Sequence, residues 1–72
     1  MIGLTNRQQE VLAFIKVFIR DNGWPPTREE IGKHFQWRSM AAAAQWHLKA
    51  LERKGLVQLG PGSRQIRLLA DW

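Results

Sequence analysis

Positively charged side chains lie mainly in the second half of the chain, and their chemistry is that of binding anions. Residues 1–32 carry four basic and four acidic side chains, whereas residues 33–67 carry seven basic side chains against Glu52 alone. This excess favours a polyanionic partner such as nucleic acid. The alternative is a solvated basic surface without a partner. The seven basic residues are Lys33, Arg38, Lys49, Arg53, Lys54, Arg64 and Arg67.

Side chains suited to catalysis or metal binding are scarce. The sequence contains no Cys, which excludes disulfides, thiolate zinc ligands and a thiol nucleophile. His34 and His47 have no Cys or carboxylate neighbours at a metal-binding spacing, and we expect both to be structural. No Ser–His–Asp arrangement, inward-facing carboxylate pair or Gly-rich phosphate loop is visible. We therefore predict that the protein is not an enzyme and has no metal and no small-molecule cofactor.

The length and the hydropathy of the chain limit its organisation. Seventy-two residues fit one domain, 1–72. No apolar stretch approaches the ~20 residues of a membrane span, and residues 1–5 lack the pattern of a signal peptide. We expect a single cytoplasmic domain that does not enter a membrane.

Two capping boxes predict where the first two helices begin. Thr5 with Gln8 opens helix one, which runs from about Asn6 to Asn22 and ends at Gly23. Pro25 and Pro26 then hold the chain extended. Thr27 with Glu30 opens a short helix two, with Ile31 and Phe35 as its buried pair. This helix should end near Phe35 or Gln36.

Helix three is predicted over about Met40 to Lys54, with Ser39 as its N-cap and Gly55 after its end. Steps of 100° per residue place Ala44, Leu48 and Leu51 on one narrow apolar face. The opposite face carries Ala42, Trp46, Lys49 and Arg53, with Gln45 on its flank. We therefore expect the helix to present a small residue, an aromatic ring and two cations on its exposed side.

After Gly55 the apolar period changes from helical to alternating. Residues 56–59 and 65–69 predict two strands, and residues 60–63 between them have the composition of a turn. Three helices followed by a basic hairpin predict a mostly α fold with a small β-hairpin, the three-helix winged helix-turn-helix. In that fold the third helix enters the major groove of DNA, the second braces it, and the hairpin is the wing.

Four blocks of the sequence resemble the N-terminal DNA-binding domain of the LexA repressor family. They are residues 4–12 (LTNRQQEVL), 23–31 (GWPPTREEI), 47–55 (HLKALERKG) and 64–69 (RQIRLL). The resemblance implies binding of double-stranded DNA and transcriptional repression of the SOS type. LexA proteins continue into a self-cleaving, dimerising domain, which this sequence does not contain.

The sequence departs from the family in the stretch that reads bases. Seven residues separate Ser39 from His47, where the family usually has six, and alanines replace its polar and acidic residues. Ser39 matches the family's serine, and Gln45 and Trp46 stand where the family has a pair of Glu. We expect a weakly specific preference for thymine and adenine rather than the usual LexA operator. The extra residue lies either inside the helix or in the turn before it.

The candidate DNA-binding residues lie on helix two, the turn, helix three and the wing. They are Arg28, Arg38, Ser39, Met40, Ala41, Ala42, Gln45, Trp46, Lys49, Arg53, Ser63, Arg64 and Arg67. Gln45 is either a partner of adenine N6 and N7 or a solvated amide. Ser39 either contacts DNA or only caps helix three with its hydroxyl. Arg64 and Arg67 either contact the DNA backbone or keep the hairpin edge soluble.

The four tryptophans receive different predictions. Trp24 and Trp37 are expected to plug the core at loop junctions. Trp46 either presses on thymine methyls or sugars, packs against a second protein, or folds sideways over helix two or the wing. Trp72 is either a frayed terminus or a docking residue.

Two other functions are compatible with the sequence. One is a protein-interaction module that binds or antagonises another regulator through Trp46 and the alanine-rich face. The other is charge-driven binding of RNA, or of DNA without sequence preference. For the favoured function, the partner is double-stranded DNA, and we expect the free chain to be a monomer. Pairing of two chains on DNA and a protein partner at Trp46 or Trp72 are left open.

Overall fold

The fold is a three-helix domain closed by a two-stranded antiparallel hairpin. The structure, a computed structural model, describes residues 3–62 and 64–69. Its elements in chain order are α1 (Asn6–Asn22), α2 (Arg28–His34), α3 (Met40–Arg53), β1 (Val57–Leu59) and β2 (Ile66–Leu68). This confirms the predicted winged helix-turn-helix architecture. The strands are shorter than predicted, because the ladder pairs only Val57 with Leu68 through Leu59 with Ile66.

The helix ends follow the local capping chemistry. Thr5 Oγ1 accepts a hydrogen bond from Gln8 N (3.1 Å), and Thr5 N donates to Gln8 Oε1 (3.2 Å). Thr27 and Glu30 repeat this capping box at α2, with distances of 3.1 and 2.8 Å. Both boxes confirm the prediction. Gly23 ends α1 with φ of 85°, a conformation that costs a glycine little.

The core lies between the three helices and the inner side of the hairpin. Val11 and Ile15 of α1 and Ile31 of α2 are fully buried. The predicted face of α3 meets them, and the hairpin closes the cluster from the other side. Ala44, Leu48 and Leu51 come from α3, and Leu56, Val57 and Ile66 come from the hairpin region. Since a two-stranded hairpin is not stable alone, its packing on α3 holds the wing in place.

The prediction for Trp24 is wrong. Trp24 is 53% exposed, whereas Pro26 is fully buried. The left-handed Gly23 and the two prolines set the path of the chain here, and along that path the indole faces solvent while the ring of Pro26, two residues later, is buried. The prediction for Trp37 is confirmed, since its side chain is half-buried and packs against the core.

Ser39 occupies the N-cap of α3 but does not cap it with its hydroxyl. Its carbonyl accepts from Ala43 N (2.8 Å), while its side chain makes no capping hydrogen bond. The cause is backbone geometry, because ψ is 75° at Ser39 but 163° at Thr5 and 164° at Thr27. The predicted hydroxyl cap is therefore wrong, although the predicted helix start is right.

The turn between α2 and α3 contains backbone strain. Gln36 has φ of 59°, and Trp37 N bonds back to Gly32 O (2.9 Å). A side chain in the left-handed region costs about 1–2 kcal/mol, which glycine avoids.

None of the helices in the described part of the chain combines the length and the apolar composition that a membrane-spanning helix needs.

We expect Gln36→Gly to raise the free energy of unfolding by about 0.5–1 kcal/mol. The removed strain exceeds the added entropy of a glycine in the unfolded chain. Urea unfolding followed by tryptophan fluorescence measures the change. Gln36→Ala is the control, since alanine keeps the strain and should bring no gain. A glycine variant less stable than the alanine variant would contradict this account.

Candidate nucleic-acid interface

One face of α3 is exposed over its whole length, and it is the face opposite the core. Ala42, Lys49 and Arg53 are exposed on it, and Trp46 is 63% exposed. Ala41 is also exposed, in the first turn of the helix but not on this face. Gln45 is half-buried on the flank. This confirms the predicted helical wheel. The side chain of Met40 and the whole of Ser63 lie outside the described residues, so their predicted contacts stay predictions.

Gln45 is joined to α2 by a hydrogen bond. The Nε of Arg28, the first residue of α2, donates to Gln45 Oε1. A guanidinium has donors and no acceptor, so this bond determines which end of the amide faces Arg28. The carbonyl oxygen lies against the guanidinium. Gln45 is thus neither a freely rotating surface amide nor an amide with an unoccupied oxygen.

Trp46 ends a column of aromatic rings that crosses from α2 to α3. The ring of Phe35 stacks on Trp37 (centroids 5.0 Å apart), and Trp37 stacks on His47 (4.9 Å). Trp46 meets His47 edge to face at 5.0 Å. His34 stacks in a similar way on Phe14 at 4.1 Å, as a structural histidine would. With 63% of its surface exposed, Trp46 does not fold over α2 or the wing.

The wing is attached to the start of α2 by Arg64. Its Nη1 donates to Glu30 Oε1 (2.8 Å) and to Pro25 O (3.0 Å), and its Nη2 donates to Glu30 Oε2 (3.1 Å). The hydrogen bond from Arg64, helped by one from Thr27, lowers the pKa of Glu30 below its usual value. Arg67 lies exposed on β2, opposite Gln58. The two wing arginines therefore differ, because Arg64 joins the wing to α2 whereas Arg67 faces solvent.

Lys54 also has an internal role. Its Nζ donates to Gly3 O (2.7 Å) and to Gln8 Oε1 (2.8 Å), which ties the end of α3 to the start of α1. Sequence reasoning found neither this contact nor the pairing of Arg64 with Glu30. The partners are 46 and 34 residues apart, and no local pattern reports them.

Five other basic residues in the second half of the chain are exposed to solvent and form no ion pair within residues 3–62 and 64–69. They are Lys33, Arg38, Lys49, Arg53 and Arg67. They come from α2, the turn, α3 and the wing, as the sequence predicted. An exposed cationic surface around a helix with a small-residue face is an arrangement suited to a phosphate backbone.

The family comparison agrees with this geometry. The family model of the LexA DNA binding domain matches residues 1–65. This chain belongs to the LexA DNA-binding domain family. The match includes all three helices and β1 and ends in the turn before β2. It confirms the resemblance predicted from the four sequence blocks.

Individual LexA repressors are similar over nearly the whole chain. The LexA repressor of Saccharophagus degradans is 58% identical over 94% of this chain, and that of Pseudomonas chlororaphis is 54% identical over 94%. The LexA repressor of Hahella chejuensis is 52% identical over 99%. The chain spans about a third of the length of these relatives: 34%, 34% and 36%, respectively.

In this LexA-type domain α3 is unbroken from its first residue to its last. The α-helix runs from Met40 to Arg53 without a bulge, and Ala43 N to Ser39 O is an ordinary helical hydrogen bond of 2.8 Å.

His47, on α3, has a buried ring nitrogen and a shifted pKa. Burial lowers the pKa of the imidazole, and the positive charge of Arg7 lowers it further. Its Nδ1 is buried and has no hydrogen-bond partner in the described part of the chain. The folded domain therefore favours the neutral ring stacked on Trp37.

We expect the domain to lose stability as the pH falls below about 6.5, the ordinary pKa of histidine. The unfolded chain binds this proton more readily than the folded one, so protonation favours unfolding. The loss should begin near that pH, continue to the lower folded pKa, and be absent above pH 7.5. Urea unfolding between pH 5 and 8 measures it.

The control for this experiment is His47→Gln. That variant is expected to be less stable at every pH, because the stack on Trp37 is changed, but its stability should vary less between pH 5 and 7. An unchanged pH slope in His47→Gln would assign the effect to another group.

Proposed function

We propose that the chain binds double-stranded DNA, with α3 in the major groove and the hairpin wing along the backbone. The observation that carries the proposal is the two-sided character of α3. Ala44, Leu48 and Leu51 are completely buried, while the opposite side is exposed and bordered by cations. Membership of the LexA DNA-binding domain family supports the same function.

The alanines give α3 a narrow exposed face. Ala41 and Ala42 have no atoms beyond Cβ, so the helix backbone is able to approach base edges closely, and a methyl group suits contact with thymine. The Ser39 hydroxyl makes no capping bond, which leaves it to donate to a phosphate or a base. Met40 completes the proposed N-terminal contact region of α3.

Contacts to phosphates would set the position of the domain on DNA. Arg38, Lys49 and Arg53 border α3 and supply point charges. In the wing, Arg67 and Ser63 are the proposed backbone contacts. Arg64 belongs to this set through its second role, since it holds the wing against α2 while half of its side chain remains exposed. Phosphate contacts of this kind give affinity without reading sequence.

The named relatives are repressors, and we propose that this chain supplies the DNA-binding part of a transcriptional repressor of the SOS type. A single module of this kind buries roughly 600–1,000 Å² on DNA, which limits its affinity for one half-site. We propose a monomer when free and pairing of two domains on adjacent half-sites of DNA.

Trp46 supports a second candidate function. An indole that is 63% exposed beside an alanine-rich surface also suits a protein partner, and aromatic residues are enriched at the centres of such interfaces. The two functions differ in their dependence on salt, because only the phosphate backbone releases many counterions on binding.

We expect the logarithm of the affinity for duplex DNA to fall with the logarithm of salt at a slope of about −5, from five or six phosphate contacts. Fluorescence anisotropy between 50 and 300 mM salt measures the slope. Lys49→Met and Arg53→Met should each reduce the slope by about 1. Arg20→Met is the matched control, since Arg20 lies at the end of α1 and pairs with Asp21. Affinity that does not respond to salt would favour the protein-partner function.

We expect Arg67→Ala to weaken binding by a similar factor on every duplex, because contacts from the wing to phosphates carry no base preference. Arg64→Ala should also weaken binding on all sequences and should in addition release the wing from α2. Glu30→Gln separates the two effects, since it removes the anionic partner and keeps the arginine charge. Binding-site selection with each variant tests this, and a changed consensus in Arg67→Ala would show that the wing reads bases.

A further inference from the structure

The hydrogen bond between Arg28 and Gln45 has a consequence for base recognition. Gln45 lies on the flank of the exposed face of α3, and its carbonyl oxygen accepts from Arg28 Nε. The opposite assignment of the amide would place its NH₂ group against a guanidinium, donor against donor. The orientation of the amide is therefore set by the chemistry of its partner.

The polar groups of Gln45 and Arg28 that take no part in this bond are mainly hydrogen-bond donors. Gln45 keeps both N–H bonds of Nε2, and Arg28 keeps its two terminal amino groups, which take no part in the contact through Nε. Both side chains are half-buried and therefore partly accessible. Only one lone pair of Oε1 remains as an acceptor. The pair as a unit presents hydrogen-bond donors and positive charge.

The four bases respond differently to such a unit. Guanine offers two acceptors in the major groove, N7 and O6, and adenine offers one acceptor, N7, beside a donor, the N6 amino group. Cytosine offers a donor. The usual pairing of glutamine with adenine requires Oε1 to face the amino group at N6. Here that oxygen faces Arg28, so adenine would bring its amino group toward the guanidinium.

We propose that Arg28 is a specificity-determining residue that orients Gln45 to read guanine rather than adenine. This inference rests on the proposed function, binding of duplex DNA through α3. Arg28 acts in it as a positioning residue, and Gln45 Nε2 makes the base contact. The base expected at this position thus changes from the adenine that the sequence alone favoured.

The start of α2 is well suited to hold such a pair. The capping box at Thr27 and Glu30 restrains the backbone on either side of Arg28, and the fully buried Pro26 anchors the segment before it. Glu30 is itself held by Arg64 from the wing. Because the side chains are ordered before DNA arrives, less conformational entropy is lost when the contact forms.

The test is a binding-site selection from random duplexes with the unmodified chain, Gln45→Ala, Arg28→Met and Gln45→Glu. The position whose preference disappears in Gln45→Ala identifies the contacted base pair. We expect guanine there, favoured over adenine by about 10-fold. In Arg28→Met the donor to Gln45 Oε1 is removed and the amide is free to turn, so the preference for guanine should fall to about two-fold or less, while affinity for every duplex falls by a similar factor with the lost charge. Gln45→Glu should move the preference to cytosine, whose amino group donates to a carboxylate.

A second measurement examines the contact without DNA. In proton NMR of the free chain, the Nε–H of Arg28 should exchange slowly with solvent, and Gln45→Leu should make the exchange fast. Arg53 Nε–H, on an exposed residue of α3, is the internal control. Thermal melting of each variant establishes that it is folded.

The outcomes separate the inference from the proposed function. Salt-dependent binding with a preference for adenine, or a guanine preference that survives Arg28→Met, would overturn the inference and keep the DNA-binding function. Fast exchange of the Arg28 Nε–H in the unmodified chain would also overturn it. Absence of salt-dependent binding to any duplex would overturn the proposed function, and the inference with it.

Discussion

The burial of one face of α3 is the constraint on which the rest of the structure depends. Ala44, Leu48 and Leu51 are completely excluded from solvent between α1, α2 and the hairpin. A helix fixed on one side in this way has no freedom to rotate about its axis. The opposite residues, among them Trp46 and Lys49, therefore have a determined direction before any partner is bound. A domain of this small size buries only about 60% of its unfolded surface, so each fully buried side chain of this face is a sizeable part of its core.

Cationic side chains in this domain serve two purposes. Lys54 joins the end of α3 to the start of α1, Arg64 joins the wing to α2, and Arg28 joins α2 to α3. Each bond connects two elements that the apolar core alone would hold less specifically. The exposed cations elsewhere are available to a polyanion. The high net charge is therefore a poor measure of how many phosphates the domain would contact, because part of it is used inside the fold.

Aromatic stacking links the exposed side of α3 to the body of the domain. Trp46 rests on His47, which stacks on Trp37, and Trp37 stacks on Phe35. The guanidinium of Arg7 lies 5.4 Å from the centre of the Phe35 ring. A change in the charge of His47 would place a cation in this column near Arg7. The exposed indole of Trp46 thus packs on a stack that is sensitive to protonation of the His47 ring.

The sequence by itself determined the helix starts, the buried face of α3, the order of the elements and the family, because each depends on residues a few positions apart. The capping boxes at Thr5 and Thr27 act over three residues, and the core face repeats every three or four. Tertiary structure alone decided that Pro26 is buried and Trp24 exposed, and that Arg28 holds Gln45 from 17 residues away. Such pairs depend on the angles at which elements pack and on the path of the turns between them. No periodicity along the chain records those angles, so the orientation of the Gln45 amide became visible only in three dimensions.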